Sequence, residues 1–205
     1  MFTKQSVVTL DLEGVLTPEI WIAVAEKTGI EELHLTTRDI PDYDTLMKNR
    51  LEILEREKLT LSAIQEVIGT LEPLEGAKEF LDELQTMTQI IILSDTFQEF
   101  AYPLMAKLDF PTIFCHNLII KDDFITGYNL RMKNQKGRAV EALRNLNFNV
   151  LAAGDSYNDT EMLSSAHQGV LFRAPDTIIK EYPQFPTTRE FSELLTIIKD
   201  WLKKL

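Results

Sequence analysis

Cysteine is almost missing from this chain of 205 residues. Cys115 stands alone, so no disulfide can close within the chain, which suits a reducing compartment; its simplest reading is a small buried residue. Long apolar runs are missing as well. None approaches the roughly 20 residues that a membrane-spanning helix needs, and no signal-peptide pattern precedes the first expected strand. A cytoplasmic protein without a membrane partner is expected. Basic residues are in deficit, with 21 Lys and Arg against 32 Asp and Glu and a net charge of −11. Nucleic-acid backbones and anionic membrane surfaces require basic patches, so neither is an expected partner. A small anionic ligand stays open, because the charge inside a pocket can oppose the global sign. The histidines His34, His116 and His167 show no metal-ligand spacing. There is no internal repeat, low-complexity tract or disordered linker.

What is present is an ordinary globular composition, in a chain long enough for one sizeable core or one core with an insert. The stretch around which the rest is organised is Val7-Val8-Thr9-Leu10-Asp11-Leu12-Glu13-Gly14. A β-branched apolar run of this kind reads as a buried parallel strand. Ligand crevices of open α/β sheets lie outside the carboxyl ends of the strands, which puts Asp11 and Glu13 at the mouth of one. On an extended backbone, residues two apart point the same way. Two such carboxylates repel unless a cation lies between them or one holds a proton. Both escapes suit phosphoryl transfer, since Mg²⁺ seeks hard oxygens and a protonated acid can serve a leaving group.

Beyond Gly14 the pattern turns helical. Pro18-Glu19 opens a helix that ends near Thr28-Gly29, Tyr43 to Arg56 keeps the helical period, and Ser62 to Leu71 adds a shorter helix. Residues 17–72 contain no strand-like run. From Gly76 strands and helices alternate. Ala77 to Gln85 reads as a helix, Gln89 to Leu93 as a strand, Thr96 to Leu108 as a helix and Thr112 to His116 as a strand. Leu118 to Tyr128 reads as a hairpin turning at Thr126-Gly127. Lys136 to Leu146 is a helix, Asn149 to Ala153 a strand, Asp159 to Ala166 a helix, Gly169 to Phe172 a strand and Phe191 to Leu205 a last helix. The expected fold is α/β, a doubly wound parallel sheet. Its core spans residues 1–16 and 73–205, interrupted by a helical insert over 17–72.

Three further places carry polar residues that suit a phosphate site. Ser94-Asp95-Thr96 follows the second strand, either as an anion cradle at a helix start or as a plain N-cap. Gly154-Asp155-Ser156-Tyr157-Asn158-Asp159 closes another strand and offers Asp155 as a further oxygen ligand facing Asp11 and Glu13, with Asn158 and Asp159 bracing the turn. Lys133 and Lys136 can supply fixed positive charge; Lys136, at a helix start where the macrodipole disfavours a cation, is the better candidate. Arg50 is either a solvated charge on an amphipathic helix or a bidentate carboxylate grip. Trp21 and Phe97 read as packing residues.

Taken in order, Asp11-Leu12-Glu13-Gly14-Val15, Ser94, Lys136 and Gly154-Asp155-Ser156-Tyr157-Asn158-Asp159 resemble the four motifs of the haloacid dehalogenase-like phosphatases. The likeness covers the whole chain and is strongest to the phosphoserine phosphatase branch. Within it, Pro18-Glu19-Ile20-Trp21 and Thr37-Arg38-Asp39-Ile40-Pro41-Asp42-Tyr43-Asp44 are similar to the bifunctional phosphoserine phosphatase/homoserine phosphotransferases. The resemblance implies a Rossmann-like core and a helical cap over 17–72. It makes Asp11 the nucleophile that forms an aspartyl-phosphate and Glu13 the general acid and base. Mg²⁺ is then held by Asp11, the backbone carbonyl of Glu13, and Asp155. Phosphate is held by Ser94, Asp95 and Lys136, where Asp95 stands in place of a common glycine. Glu19, Arg50 and Asn158 bind the substrate, the first two its amino-acid part, while Asn158 and Asp159 also support the loop. Phosphoserine and homoserine are the implied small-molecule partners, and a homodimer the implied assembly. The wider family carries aspartate where this chain has Glu13, a departure shared by the bifunctional members. Motifs fix reaction class better than substrate. The rival readings are a phosphatase of another small phosphomonoester and a silent phosphate- or Mg²⁺-binding regulatory protein.

Overall fold

The computed structural model describes residues 5–36, 39–40 and 42–205; Thr37, Arg38 and Pro41 of the family-like stretch lie outside them. In chain order the elements are β1 (Ser6–Leu10), α1 (Ile20–Thr28), α2 (Tyr43–Arg56), α3 (Leu61–Thr70), α4 (Ala77–Gln85), β2 (Gln89–Phe97) and α5 (Gln98–Lys107). There follow β3 (Ile113–Lys121), β4 (Phe124–Asn129), α6 (Gln135–Asn145), β5 (Asn149–Gly154), α7 (Thr160–Ser165), β6 (Gln168–Phe172), α8 (Asp176–Glu181), β7 (Thr187–Thr188) and α9 (Phe191–Leu202). The strands form one seven-stranded sheet in the order β4-β3-β2-β1-β5-β6-β7. All pairs are parallel except β3–β4.

Alternation along the central strands builds a core on each face. Val8, Leu10, Leu151 and Ala153 join the cluster that contains buried residues of α1, α3, α4, α5 and α9. Val7, Val150 and Ala152 join the cluster under α6, α7 and α8. With both faces covered, the strands can be apolar throughout. From β1 the chain moves outward through β2 and β3 to β4 and then crosses back to β5 on the other side of β1, so the switch point where an α/β sheet opens its crevice lies beside β1. No helix among the described residues is long and apolar enough to cross a membrane.

Caps set the helices between β1 and β2. Asp42 accepts from the Thr45 N–H at 2.8 Å and Thr60 from that of Ala63 at 3.2 Å, each satisfying an otherwise orphaned amide. Helix α1 begins at Ile20, two residues beyond Pro18, and ends on Gly29 in the left-handed region at φ 72°.

Three local expectations are corrected. Strand β2 runs on through Ser94, Asp95 and Thr96 to Phe97, where an irregular register lets Phe97 pair with His116; the β-branched and aromatic residues suit a strand. Helix α5 therefore starts at Gln98, with no side-chain cap, and Ser94 and Asp95 are not its cap. The hairpin turns at Asp122-Asp123, not at Thr126-Gly127. Both aspartates have positive φ, 51° and 67°, as a tight primed turn requires, whereas Gly127 pairs with Ile119 inside β4. Helix α8 and strand β7, too short for a periodic signal, were not expected.

Helix α5 carries Pro103 in its interior. Proline has no N–H, so the carbonyl four residues back loses its partner. The Glu99 carbonyl instead accepts from Gln65 Nε2 on α3 at 2.8 Å. Lys107, in the last turn of α5, donates to the Gly69 and Leu71 carbonyls at the end of α3, at 3.1 and 2.6 Å. Replacing Gln65 by Met leaves the Glu99 carbonyl unpaired and is expected to cost about 1–3 kcal/mol in urea unfolding. A change within about 0.5 kcal/mol, the ordinary surface value, would show that water already serves that carbonyl.

Candidate active site

At the carboxyl edge of the sheet, Asp11, Ser94, Asp95 and Asp155 sit at the ends of β1, β2 and β5. The Asp11 N–H still donates to Ala153 at 3.0 Å, which fixes the first catalytic candidate against the end of β5. One cavity of about 1020 Å³ opens here, and every candidate named from the sequence lines it except Asp159, which lies behind its wall.

The innermost group is Lys136, on the first turn of α6 and 2% exposed. Its Nζ lies 2.7 Å from Asp159 Oδ1 and 2.9 Å from Asp11 Oδ2, with Asp95 Oδ2 at 3.9 Å. Burial opposes the ammonium charge, but Asp11, Asp159 and Asp95 outweigh it and raise the lysine well above its ordinary value. Lys133 lines the same cavity without being drawn into this cluster, so Lys136 holds the charged centre. Asp11 Oδ1 accepts from the Leu12 N–H at 2.7 Å. Burial, together with Asp159 and Asp155, pushes the Asp11 carboxyl well up despite Lys136.

Asp11, Asp155 and Asp159 bring carboxylate oxygens within 4.8 Å of one another. The Asp159 oxygens are both engaged. Oδ1 takes the lysine, and Oδ2 accepts the N–H groups of Asp155 and Ser156 at 2.9 and 3.2 Å. Asp159 thus braces the loop, and Asp11 and Asp155, which both line the cavity, are the pair that could hold a cation. An all-oxygen donor set of this kind fits Mg²⁺ and not a soft metal. Two glycines let these loops meet. A Cβ at Gly14, φ 79°, would lie 2.6 Å from Asp155 Oδ2, and one at Gly154 only 2.4 Å from Asp159 Cγ.

Glu13 faces a different environment. Its Oε2 accepts from the Ile20 N–H at 2.8 Å, at the amino end of α1. Burial and the nearby Glu19 raise its carboxyl to about 7, against the pull of Ile20, Arg50 and Thr96. Arg50 is buried, which removes the reading as a solvated charge. Its guanidinium lies 4.5 Å over the Trp21 ring, and Nη2 donates to the Leu35 carbonyl at 2.9 Å. Nε has no hydrogen-bond partner among the described residues. Trp21 also packs edge-on against Phe100 at 5.4 Å, so it serves both the core and the arginine.

Sequence reasoning missed three residues here. Gln135 Nε2 donates to the Ser94 carbonyl at 2.5 Å and to Asp95 Oδ1 at 3.1 Å. His116 is buried and lies 3.6 Å from that same oxygen. The Tyr43 hydroxyl of α2 donates to the Asp95 carbonyl at 3.1 Å. A polar residue directly before Lys136 was the only available signal, for Gln135. The Asp95 side chain does not suit the phosphate-holding role expected of it. Burial opposes its charge, but Lys136, His116, Gln135 and Asn158 hold it below the ordinary carboxylate range, and an ionised carboxylate repels a phosphate.

A family model for the haloacid dehalogenase-like hydrolases matches residues 6–167. The chain belongs to that family. It is 60% identical over 186 residues to a protein of Pseudomonas aeruginosa named phosphoserine phosphatase ThrH, covering 90% of this chain and 91% of that one. A phosphoserine phosphatase of Pseudomonas syringae pv. tomato is 59% identical, over 90% of this chain and 78% of its own. Among solved structures, a phosphoserine phosphatase in apo form superposes with a TM-score of 0.78 at 24% identity, over 94% of this chain and 98% of that one. At that identity it shows the shared fold.

Replacing Lys136 by Met leaves the buried carboxylates uncompensated and is expected to cost about 3–5 kcal/mol at pH 8 in EDTA. Their folded-state pKa values then rise further. The native state binds more protons than the unfolded one, and stability falls as pH increases. Urea unfolding should show a deficit that shrinks at pH 5. An equal or larger deficit at pH 5 would mean that the lysine acts by packing alone.

Proposed function

We propose that this hydrolase takes the phosphoryl group of O-phospho-L-serine and passes it to water, or to L-homoserine when that amino acid occupies the site. The observation that carries this reading is the convergence of two unlike carboxylates on one cavity. Asp11 is oriented by Lys136 and a backbone N–H, and Glu13 has a pKa near neutrality. The Lys136 ammonium and a bound cation would favour the anion of Asp11, while Glu13, away from that ammonium, keeps a proton to give. The names of the close Pseudomonas relatives support phosphoserine as donor.

In the first half-reaction an Asp11 carboxylate oxygen attacks phosphorus. The bond from phosphorus to the serine oxygen breaks, and the Glu13 proton passes to that oxygen. In the second half, the oxygen of water or of the homoserine hydroxyl attacks the aspartyl-phosphate. Its proton passes to the Glu13 carboxylate, and the Asp11–phosphorus bond breaks. Splitting one hard displacement in two is what a carboxylate nucleophile contributes. Lys136 and Ser94 hold the phosphoryl oxygens, since positioning and charge supply most of the catalysis in such a transfer. Arg50 holds the substrate carboxylate through its free Nε edge, and Glu19 the ammonium group. Asp11, Asp155 and the Glu13 carbonyl hold Mg²⁺, which offsets the charge gathered on the transferring oxygens. Residues 17–72 form the cap that closes the cavity.

Purified protein incubated with phosphoserine and Mg²⁺ is expected to release phosphate, and to form O-phosphohomoserine when homoserine is added. Asp11→Asn should do neither, and Glu13→Gln should lower kcat by about 10²–10⁴-fold. Phosphate alone in both tubes would leave a plain phosphatase; turnover by Asp11→Asn would remove the aspartyl-phosphate route. Mg²⁺ titration should raise the thermal midpoint of the wild type and leave that of Asp155→Asn unmoved. An equal rise in both would move the metal elsewhere.

A further inference from the structure

Asp95 lines the cavity and has no part in the steps above, yet both its oxygens are clamped. Oδ2 accepts from Asn158 Nδ2 at 2.9 Å and lies 3.9 Å from Lys136 Nζ. Oδ1 accepts from Gln135 Nε2 at 3.1 Å, with His116 Nε2 at 3.6 Å. His116 Nδ1 accepts from the Arg131 N–H at 3.1 Å, and its Nε2 also lies 3.2 Å from Gln135 Nε2. The carboxylate therefore joins three segments that have no strand or helix in common: the end of β2, the first turn of α6 and the loop after β5. Asn158 is held from its other end as well, where Oδ1 accepts from the Ser156 hydroxyl. That loop also carries Asp155.

We propose that Asp95 is a positioning residue, whose carboxylate fixes Asn158 and Lys136 in the alignment needed for transfer to Asp11 without itself meeting the substrate. Lys136 has close partners in Asp11 and Asp159 on one side. Asp95, at 3.9 Å, is a third acid facing the same ammonium. Ser94 gains from the same network, since Gln135 spans its carbonyl and the Asp95 carboxylate. The inference rests on the reaction proposed above, and its test separates the two.

Steady-state phosphate release is compared for wild type, Asp95→Asn, Asn158→Ala and the double variant, with phosphoserine and in parallel with p-nitrophenyl phosphate. Each protein is first checked for a cooperative urea transition. Misalignment of about 1 Å costs on the order of 10²-fold. Asp95→Asn is expected to lower kcat by about 10- to 100-fold while KM changes by less than about threefold. The double variant should be no slower than the slower single variant, as expected for residues acting as a unit. An unchanged kcat in folded Asp95→Asn, a rise confined to KM, or losses that multiply in the double variant would each overturn the role. If Asp95→Asn does not fold, Asp95→Gly is measured with the same expectation. A wild type active only on p-nitrophenyl phosphate retires phosphoserine and still tests Asp95; one active on neither overturns both.

Discussion

A single buried ammonium holds this site together. Lys136 is sealed between Asp11 and Asp159, and through them it ties the end of β1 to the loop that follows β5. Without that charge, three carboxylates would share a space from which water is excluded, which like charges at such separations cannot do while ionised. The arrangement explains why Asp159, and not Asp155, is the residue fully withdrawn from solvent. Its oxygens are consumed in bracing, one by the lysine and one by two backbone amides. Asp155 lines the cavity.

Glu13, two residues from Asp11, stands outside this cluster. The one neighbourhood is crowded with fixed charges; the other is bounded by Trp21, by the start of α1 and by an arginine stacked on an aromatic face. Two acids on one strand end thus sit in different surroundings, one against an ammonium and the other against a helix start. The glutamate's additional methylene lets its carboxylate reach the first amide of α1, and the insert helix thereby orients a group of the core.

The regular elements were legible in the sequence because their periodicity is strong: β1, β5 and α4 are apolar patterns of unambiguous length. Strand β2 was read as too short because Ser94-Asp95-Thr96 looks like the start of a helix, and propensity could not register the pairing of Phe97 with His116. The hairpin turn was misplaced because a Thr-Gly pair is a stronger local signal than two aspartates, whose positive φ is enforced by the pairing of β3 with β4. For the site, the strand-end motifs placed the cavity's charged residues, since sheet topology brings strand ends together. Gln135, His116 and Tyr43 were not legible. Each is an isolated polar residue whose partner is set by tertiary packing, as in the 6.2 Å edge contact of Tyr43 with His116.

The bond from Gln65 to the Glu99 carbonyl has an evolutionary corollary. Pro103 and Gln65 are individually replaceable in only one order. Exchanging Pro103 for a residue with an N–H restores the intrahelical bond and makes Gln65 dispensable, whereas losing Gln65 first strands a half-buried carbonyl. Drift at this contact is therefore directional. A lineage can leave the proline–glutamine arrangement through position 103 at little cost, and can return to it only if a donor on α3 is already in place.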